Sequence, residues 1–451
     1  MAATIEQSVI RANPFQVIWR KFCQMISRIF YSQLEVNGLN NIPKTGPVLL
    51  CANHANALAD AVIIQSILKR PIHPLARSGL FGNYLLYPVL KGIQAVPVYR
   101  RQDKGDTSKN TDSFRKSYEM FEKGAVLLIF PEGQSHSDPG IREIKTGAAR
   151  IALGCRESIG VSPQIIPVGL NFGHKGKYRG DVLVEIGKPV NLDGIANADK
   201  HDQVEQTTKL IQKGLGEVTI NVESWETMNL LRRVERFFAL RHGKYRQRDL
   251  SLKFRALKKL STAYNELAHV EPDRIAWLDR KLQRFEKICK RFGVHDYHLT
   301  IKYRPSLITR FIFHSIFIIT IVLPVALWGL VNSIIPFLLT RHTARFISRG
   351  TDQYDTAKMS LGLFYFSVFW ISQSVLMMQY TTPGLALFYF LSLVPGAIAA
   401  LVVRREREKI FDNVRVFILF VRRRRLRRYL EARRKEIELE LVKLVRLAKS
   451  R

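Results

Sequence analysis

Acidic residues are scarce in this 451-residue chain: 38 Asp and Glu stand against 70 Lys and Arg, a formal charge of +32. Cysteine is scarcer, with Cys23, Cys51, Cys155 and Cys289 far apart and no C-x-x-C pair. That spacing excludes a zinc ribbon or a disulfide framework and suits a reducing compartment. No G-x-G-x-x-G, Walker loop or G-x-S-x-G occurs, which removes the commonest nucleotide-binding and hydrolase readings. The opening MAATIEQSVIRANPF lacks an uninterrupted apolar run and a small-residue cleavage site, so it does not read as a secretory signal. The bulk of the protein is expected in the cytosol. Disorder is excluded by a content of 47% hydrophobic and 10% aromatic residues, and the length suggests two to four structural units.

Folding does not need so large a positive charge, so the expected partner is anionic: lipid headgroups, nucleic acid or phosphorylated substrates. Apolar residues concentrate late in the chain. Phe311 to Leu339 and the 45 residues from Met359 to Val403 contain no Asp, Glu, Lys or Arg, and both stretches exceed the ~20 residues that span a bilayer core. The second predicts a helical hairpin, about 360–380 and 385–403, with Thr381-Thr382-Pro383-Gly384 as its turn. The first is interrupted by Pro324, Gly329, Asn332 and Pro336. Arg341, Arg345, Arg349 and Lys358 follow it, Lys302, Arg304 and Arg310 precede it, and the tail from Arg404 carries a net +11 (18 Lys/Arg, 7 Asp/Glu). The positive-inside rule places these charges in the cytoplasm. The 311–339 segment is therefore expected to be broken, re-entrant or on the membrane surface, with 360–403 as a hairpin, and the whole as an integral membrane protein with the domain that precedes these segments on the cytoplasmic side.

Residues 1–34 predict an amphipathic helix, with Phe15, Ile18, Phe22, Met25, Ile26 and Ile29 at helical spacing; an interfacial helix and one packed on the next domain both fit. Residues 221–305 read as a basic helical connector, 306–403 as the membrane region and 404–451 as a polybasic cytoplasmic helical tail. The run Arg422-Arg423-Arg424-Arg425-Leu426-Arg427-Arg428 follows the apolar VFILFV and suits anionic headgroups. Nucleic acid is not expected, because no aromatic interleaving or nucleic-acid motif accompanies the run.

Between residues 35 and 220, apolar runs alternate with helix-like stretches. Val48 to Ala52, Ile93 to Tyr99, Ala125 to Phe130, Ile165 to Phe172 and Val182 to Ile186 predict strands; 58–68, 111–123, 146–156 and 201–217 predict helices. The pattern is an α/β domain, a mixed sheet flanked by helices. Sites in such folds lie where strands run out into loops. After the first run, His54 is followed by Asp60 on the opening helix, an imidazole with a carboxylate to orient it, which is a pairing that can deprotonate a hydroxyl. Alone it reads more readily as a structural histidine. The second run ends in Arg100 and Arg101, suited to phosphate or to surface ion pairs. The third leads into Phe130-Pro131-Glu132-Gly133-Gln134-Ser135-His136-Ser137-Asp138-Pro139 and then Lys145-Thr146-Gly147, a polar turn before a helix N-terminus. The fourth, Ile165-Ile166-Pro167-Val168-Gly169-Leu170, has no polar chemistry and reads as a buried strand.

In order and spacing these four segments resemble the motif blocks of the glycerophospholipid acyltransferase superfamily (PlsC-like, lysophosphatidic acid acyltransferase-like): NH-x4-D, an arginine block, FPEG, and an apolar block with proline. The resemblance covers roughly residues 35–220. Five residues rather than four separate His54 from Asp60, a form similar to the glycerol-3-phosphate acyltransferase-like branch, which SHSDP and KTGAARIAL also resemble. The extra residue requires a local bend for Asp60 to reach His54.

The resemblance implies a membrane-bound O-acyltransferase of phospholipid synthesis, moving a fatty acyl group from acyl-CoA or acyl carrier protein to glycerol-3-phosphate. The alternative acceptor is 1-acyl-glycerol-3-phosphate (lysophosphatidic acid); an alternative of another class is a non-catalytic membrane-anchored lipid- or nucleic-acid-binding protein. It implies His54 as general base, Asp60 as its orienting partner, and Asn53, Arg100, Arg101, Glu132, Gly133, Ser135 and Lys145 around the phosphate-bearing acceptor. Glu132 is expected to position an arginine or accept from a glycerol hydroxyl, and Pro167 to shape the pocket. No metal or cofactor is expected, since the thioester is already activated.

Overall fold

The computed structural model describes residues 2–100, 108, 110–173, 175–176, 178–192, 195, 199–241, 249–299, 305–348 and 350–449. Arg101, Lys302, Arg304 and Arg349 lie outside the described residues. The chain forms two compact units. The first comprises Met1–Trp225 with Leu250–Phe254 and Ser348–Met359, and the second comprises the rest.

In the first unit the order is α1 (Ala2–Glu6), α2 (Pro14–Phe30), β1 (Tyr31–Asn37), β2 (Val48–Ala52), α3 (Ala57–Ile67), β3 (Ile72–Arg77), α4 (Tyr87–Gly92), β4 (Val96–Val98), α5 (Asn110–Glu122), β5 (Val126–Ile129), α6 (Gly147–Ile159), β6 (Gln164–Phe172), β7 (Gly180–Ile186) and α7 (Lys200–Val218). Among the described residues seven strands form one sheet in the order β1-β7-β6-β2-β5-β3-β4. Every neighbouring pair is parallel except the antiparallel β6 and β7, so the sheet is mixed.

The central strands VLLCA and VLLI are buried on both faces, which is why they are continuous apolar runs rather than alternating ones. Because successive side chains point to opposite faces, Val48, Leu50, Val126 and Leu128 join Phe30, Ile63 and Ile64 on the α2/α3 side. Leu49, Cys51 and Leu127 join Phe121, Ile151, Ile211 and Leu215 on the side of α5, α6 and α7. Each such Leu or Ile contributes about 1.5–3 kcal/mol when fully buried.

Helix α2 begins at a capping box: Asn13 Oδ1 accepts the Gln16 N–H at 2.8 Å, and Gln16 Oε1 accepts the Asn13 N–H at 3.0 Å. It buries Cys23, Ser27 and Phe30 while leaving Ile18, Met25 and Ile29 exposed, so it both packs on the domain and presents an apolar stripe outward. The strand that continues from it, β1, lies at the sheet edge and starts at Tyr31, a few residues before the expected domain boundary.

The second unit is helical. It holds α8 (Trp225–Arg241) from Glu226 on, α9 (Leu250–Ala268) from Arg255 on, α10 (Pro272–Phe292), α11 (Pro305–Phe317), α12 (Leu323–Ile347), the apolar part of α13 (Thr351–Tyr380), α14 (Pro383–Arg422) and α15 (Arg424–Lys449). Helices α10 and α15, which the sequence assigns to separate connector and tail segments, share a core in which Leu278, Leu282 and Phe285 meet Leu430, Ile437 and Leu441. Ion pairs Arg274–Glu440 at 2.7 Å and Lys281–Glu436 at 3.1 Å flank it.

Among the described residues, three helices are long and apolar enough to cross a membrane: Ile308–Ile347, Thr351–Tyr380 and Pro383–Arg422. The break between the last two falls at Thr381 and Thr382, with Thr382 as N-cap and Pro383 at the first helical position. Over 311–339, α11 runs through a π-helical turn, Ile318–Val322, into α12 as continuous helix. Pro336 has no N–H for the carbonyl of Asn332, four residues earlier. That carbonyl instead accepts the Gln373 side-chain amide of α13 at 3.2 Å. A neighbouring helix thus repairs the ladder, and the proline does not end the helix.

Candidate active site

β2, β5 and β6 run parallel side by side, so their C-terminal ends open at one edge of the sheet. The turn after β2 carries Asn53 and His54. The Asn53 side chain continues the ladder onto β6, accepting the Leu170 N–H at 2.6 Å and donating to the Leu170 carbonyl at 3.3 Å. His54 is thereby fixed at the root. Its ring stacks on Phe130 with centroids 4.2 Å apart, and its Nδ1 lies 2.9 Å from Asp60 Oδ2. The bend that the H-x5-D spacing requires is present at Asn56 and Ala57, where Ala57 takes φ +43. Asp60 is fully buried, and the same Oδ2 also accepts the Asn56 N–H at 2.7 Å. The imidazole is 19% exposed, and among the described residues Nε2 makes no hydrogen bond. A proton can therefore be taken at Nε2 while the carboxylate holds Nδ1–H.

Glu132 follows β5 and is buried. One oxygen accepts the His54 N–H at 2.7 Å; the other accepts the Arg142 N–H at 2.9 Å and bonds His136 Nε2. Burial pushes this carboxyl up, yet the bonds from His136, Arg142 and His54 outweigh burial and hold it below the usual carboxylate range. Glu132 thus ties the β2 turn to the β5 loop.

Gly133 takes φ +77, the left-handed region, and a Cβ there would come within 2.9 Å of Lys145 Cε and Nζ. The Arg100 guanidinium donates to the Gly133 carbonyl. Arg100, Gly133 and Lys145, drawn from three separate segments, so form one cationic corner suited to a phosphate. Ser135 Oγ donates to Asp352 Oδ2 at 2.6 Å. Pro167 stands apart from the cluster, in β6 beside Cys51; its ring crowds Gly187 and Gly214, where a Cβ would lie 2.7 Å and 3.2 Å from Pro167 Cγ. It packs the sheet against α7.

Several residues at the site had no sequence signal assigned to them. His136, within the quoted SHSDP, anchors Glu132. Lys175 Nζ donates to the His136 carbonyl at 3.3 Å; burial pushes its ammonium down, while Asp60, Asp352, Glu132 and Asp138 pull the other way. Asp352, Asp355 and Thr356 enter the first unit from the start of α13.

Residues 33–171 match the family model described as Acyltransferase. The names of the relatives include two acceptor classes. One is glycerol-3-phosphate O-acyltransferase 1 of Saccharomyces cerevisiae, 30% identical over 28% of this chain and 17% of that protein. Another is the 1-acyl-sn-glycerol-3-phosphate acyltransferase of Bacillus subtilis, 24% identical over 44% of this chain and 96% of that protein. The chain thus spans less than a fifth of the yeast relative's length. Among solved structures, the 1-acyl-sn-glycerophosphate (LPA) acyltransferase PlsC of Thermotoga maritima aligns with a TM-score of 0.36 at 18% identity, over 46% of this chain and 81% of that one.

Proposed function

We propose that this protein is a membrane-bound O-acyltransferase that transfers a fatty acyl group from acyl-CoA or acyl carrier protein to glycerol-3-phosphate. The observation that carries the reading is the His54 Nδ1 to Asp60 Oδ2 bond of 2.9 Å beside the cationic corner of Arg100, Gly133 and Lys145. Arg100 and Lys145 hold the acceptor phosphate, with Arg101 adjacent in sequence. His54 Nε2 takes the proton of the acceptor hydroxyl as its oxygen attacks the thioester carbonyl. Asp60 fixes the tautomer and stabilises the imidazolium. When the C–S bond breaks, Nε2 returns the proton to the departing thiolate.

The product is a lipid, which accounts for a catalytic domain tethered to a bilayer. The exposed Ile18, Met25 and Ile29 of α2 suit the headgroup boundary, and Arg422 to Arg428 suit anionic lipid at ~1 kcal/mol per basic residue. By the positive-inside rule the catalytic domain faces the cytoplasm. A 1-acyl-glycerol-3-phosphate acceptor is the second reading, supported by the Bacillus relative's name and near-full coverage. Purified full-length protein incubated with glycerol-3-phosphate, lysophosphatidate and other lysolipids, each with both donor classes, decides the acceptor by product identification. Absence of transfer to every acceptor refutes the enzyme.

A further inference from the structure

Ala57 occupies a backbone region that an L-residue other than glycine rarely adopts, with φ +43. The bend it makes swings Asp60 under His54, so something must hold it. The structure supplies holders from a distant segment. Asn56, fully buried, donates from Nδ2 to Asp355 Oδ2 at 2.8 Å, across 299 positions of sequence. Thr356 Oγ1 accepts the Ala59 N–H at 3.2 Å and lies 3.3 Å from the Asn56 carbonyl, to which it donates. Asp355 is itself buried and fastened elsewhere, since the same Oδ2 accepts the Gly176 N–H at 3.1 Å. Lys358 Nζ donates to the Gly176 carbonyl at 2.5 Å. Asp352 holds Ser135, and Thr351 Oγ1 donates to Ser137 Oγ at 2.5 Å. One short stretch at the start of α13 therefore grips the turn after β2, the loop after β5 and the Gly176 turn together.

We propose that Asp355 and Thr356 are positioning residues for the His54–Asp60 pair, anchoring the Asn56–Ala57 bend from the opening turns of α13. The inference rests on the acyltransferase reading. Neither side chain bonds His54 or Asp60, so each acts through Asn56 and the first turn of α3. A group that only stabilises the domain lowers the amount of folded enzyme. A positioning residue lowers turnover in the enzyme that remains folded and leaves substrate binding intact.

The test uses full-length protein in detergent or nanodiscs, with Thr356→Val, Thr356→Ser, Asp355→Asn and Asp355→Ala. Hydrogen exchange of the peptide spanning Asn56 to Val62 is followed by mass spectrometry beside steady-state kinetics for both substrates. Thr356→Val and Asp355→Ala are expected to exchange that peptide at least ten-fold faster. Their kcat should fall about ten- to hundred-fold, with both KM values within two-fold of wild type. Thr356→Ser, which keeps the hydroxyl, should restore both quantities, and Asp355→Asn should fall between. Unchanged exchange in Thr356→Val and Asp355→Ala overturns the anchor. Faster exchange with unchanged kcat overturns its link to the His54–Asp60 pair. If wild type transfers no acyl group, the acyltransferase reading fails by itself, and the exchange data then support or overturn the anchor alone.

Discussion

Glu132 holds His54 by its main chain: its Oε1 accepts the His54 N–H at 2.7 Å, across 78 positions of sequence. The two motif blocks are thus one bonded structure, with Glu132 inside it. The sign of its contribution follows from its ionisation. The folded carboxyl sits below its ordinary range, so its stabilisation is fully present above the unfolded carboxylate pKa and is lost as pH falls through the folded value. Thermal unfolding of Glu132→Gln should fall well below that of wild type at pH 7, and the gap should narrow as pH approaches 3. A gap independent of pH would contradict the charged role.

Replacing His54 with Ala removes the proton acceptor but no part of the membrane helices. Acyl transfer should drop by about 10²–10⁴-fold, the range typical of a lost general base, while the protein still sediments with membranes. Retained transfer would contradict the base assignment.

A methyl group at Gly133 meets two obstacles, its φ of +77 and a Lys145 ammonium within 2.9 Å of the added carbon. Gly133→Ala should therefore raise KM for the phosphate-bearing acceptor about ten-fold, as expected when ~1.4 kcal/mol of binding is lost, with little change for the thioester. An equal rise for both substrates would place the phosphate elsewhere.

The four cysteines are all buried, and burial raises the thiols, with Cys23, Cys155 and Cys289 pushed up to about 12. They should be inert to impermeant maleimides in the folded protein, so thiol mapping needs no cysteine-free background. Asn83 and Gln353 are exposed members of the same unit. Asn83→Cys and Gln353→Cys should label from one face of sealed vesicles, the cytoplasmic one. Labelling from opposite faces would contradict the unit.

Gln373 supplies the donor that Pro336 lacks. Gln373→Leu leaves the Asn332 carbonyl without it and should destabilise the membrane region by roughly 0.6–2 kcal/mol, measured by unfolding in mixed micelles. Gln373→Leu combined with Pro336→Ala should recover most of the loss.

What could be read from the sequence depended on burial and on distance along the chain. β2, β5 and β6 were legible because a strand covered on both faces is a plain apolar run. β1 was not, because an edge strand such as YSQLEVN is only partly covered and mixes polar side chains with apolar ones; β3 carries Pro74, which reads as a breaker. His54 and Asp60 lie six positions apart, so their pairing had a local pattern, and the required bend could be deduced from the spacing. Asp355 and Thr356 lie about 300 positions from their partners. In the sequence they are only polar residues ahead of an apolar stretch, and Lys358 beside them reads as a sidedness charge. Arg274 and Glu440 likewise reveal nothing of their pairing until α10 and α15 are folded together.

The first unit is not a contiguous piece of gene. An expression fragment cut after Trp225 would contain every motif residue and still omit Asp355 and Thr356, leaving the buried Asn56 amide without its acceptor, at a cost of about 1–3 kcal/mol. Such a fragment should be soluble only with difficulty and slow in turnover, whereas a fusion that returns residues 348–359 through a flexible linker should recover both properties. The boundary that matters for cutting this protein lies at the first turns of a membrane helix.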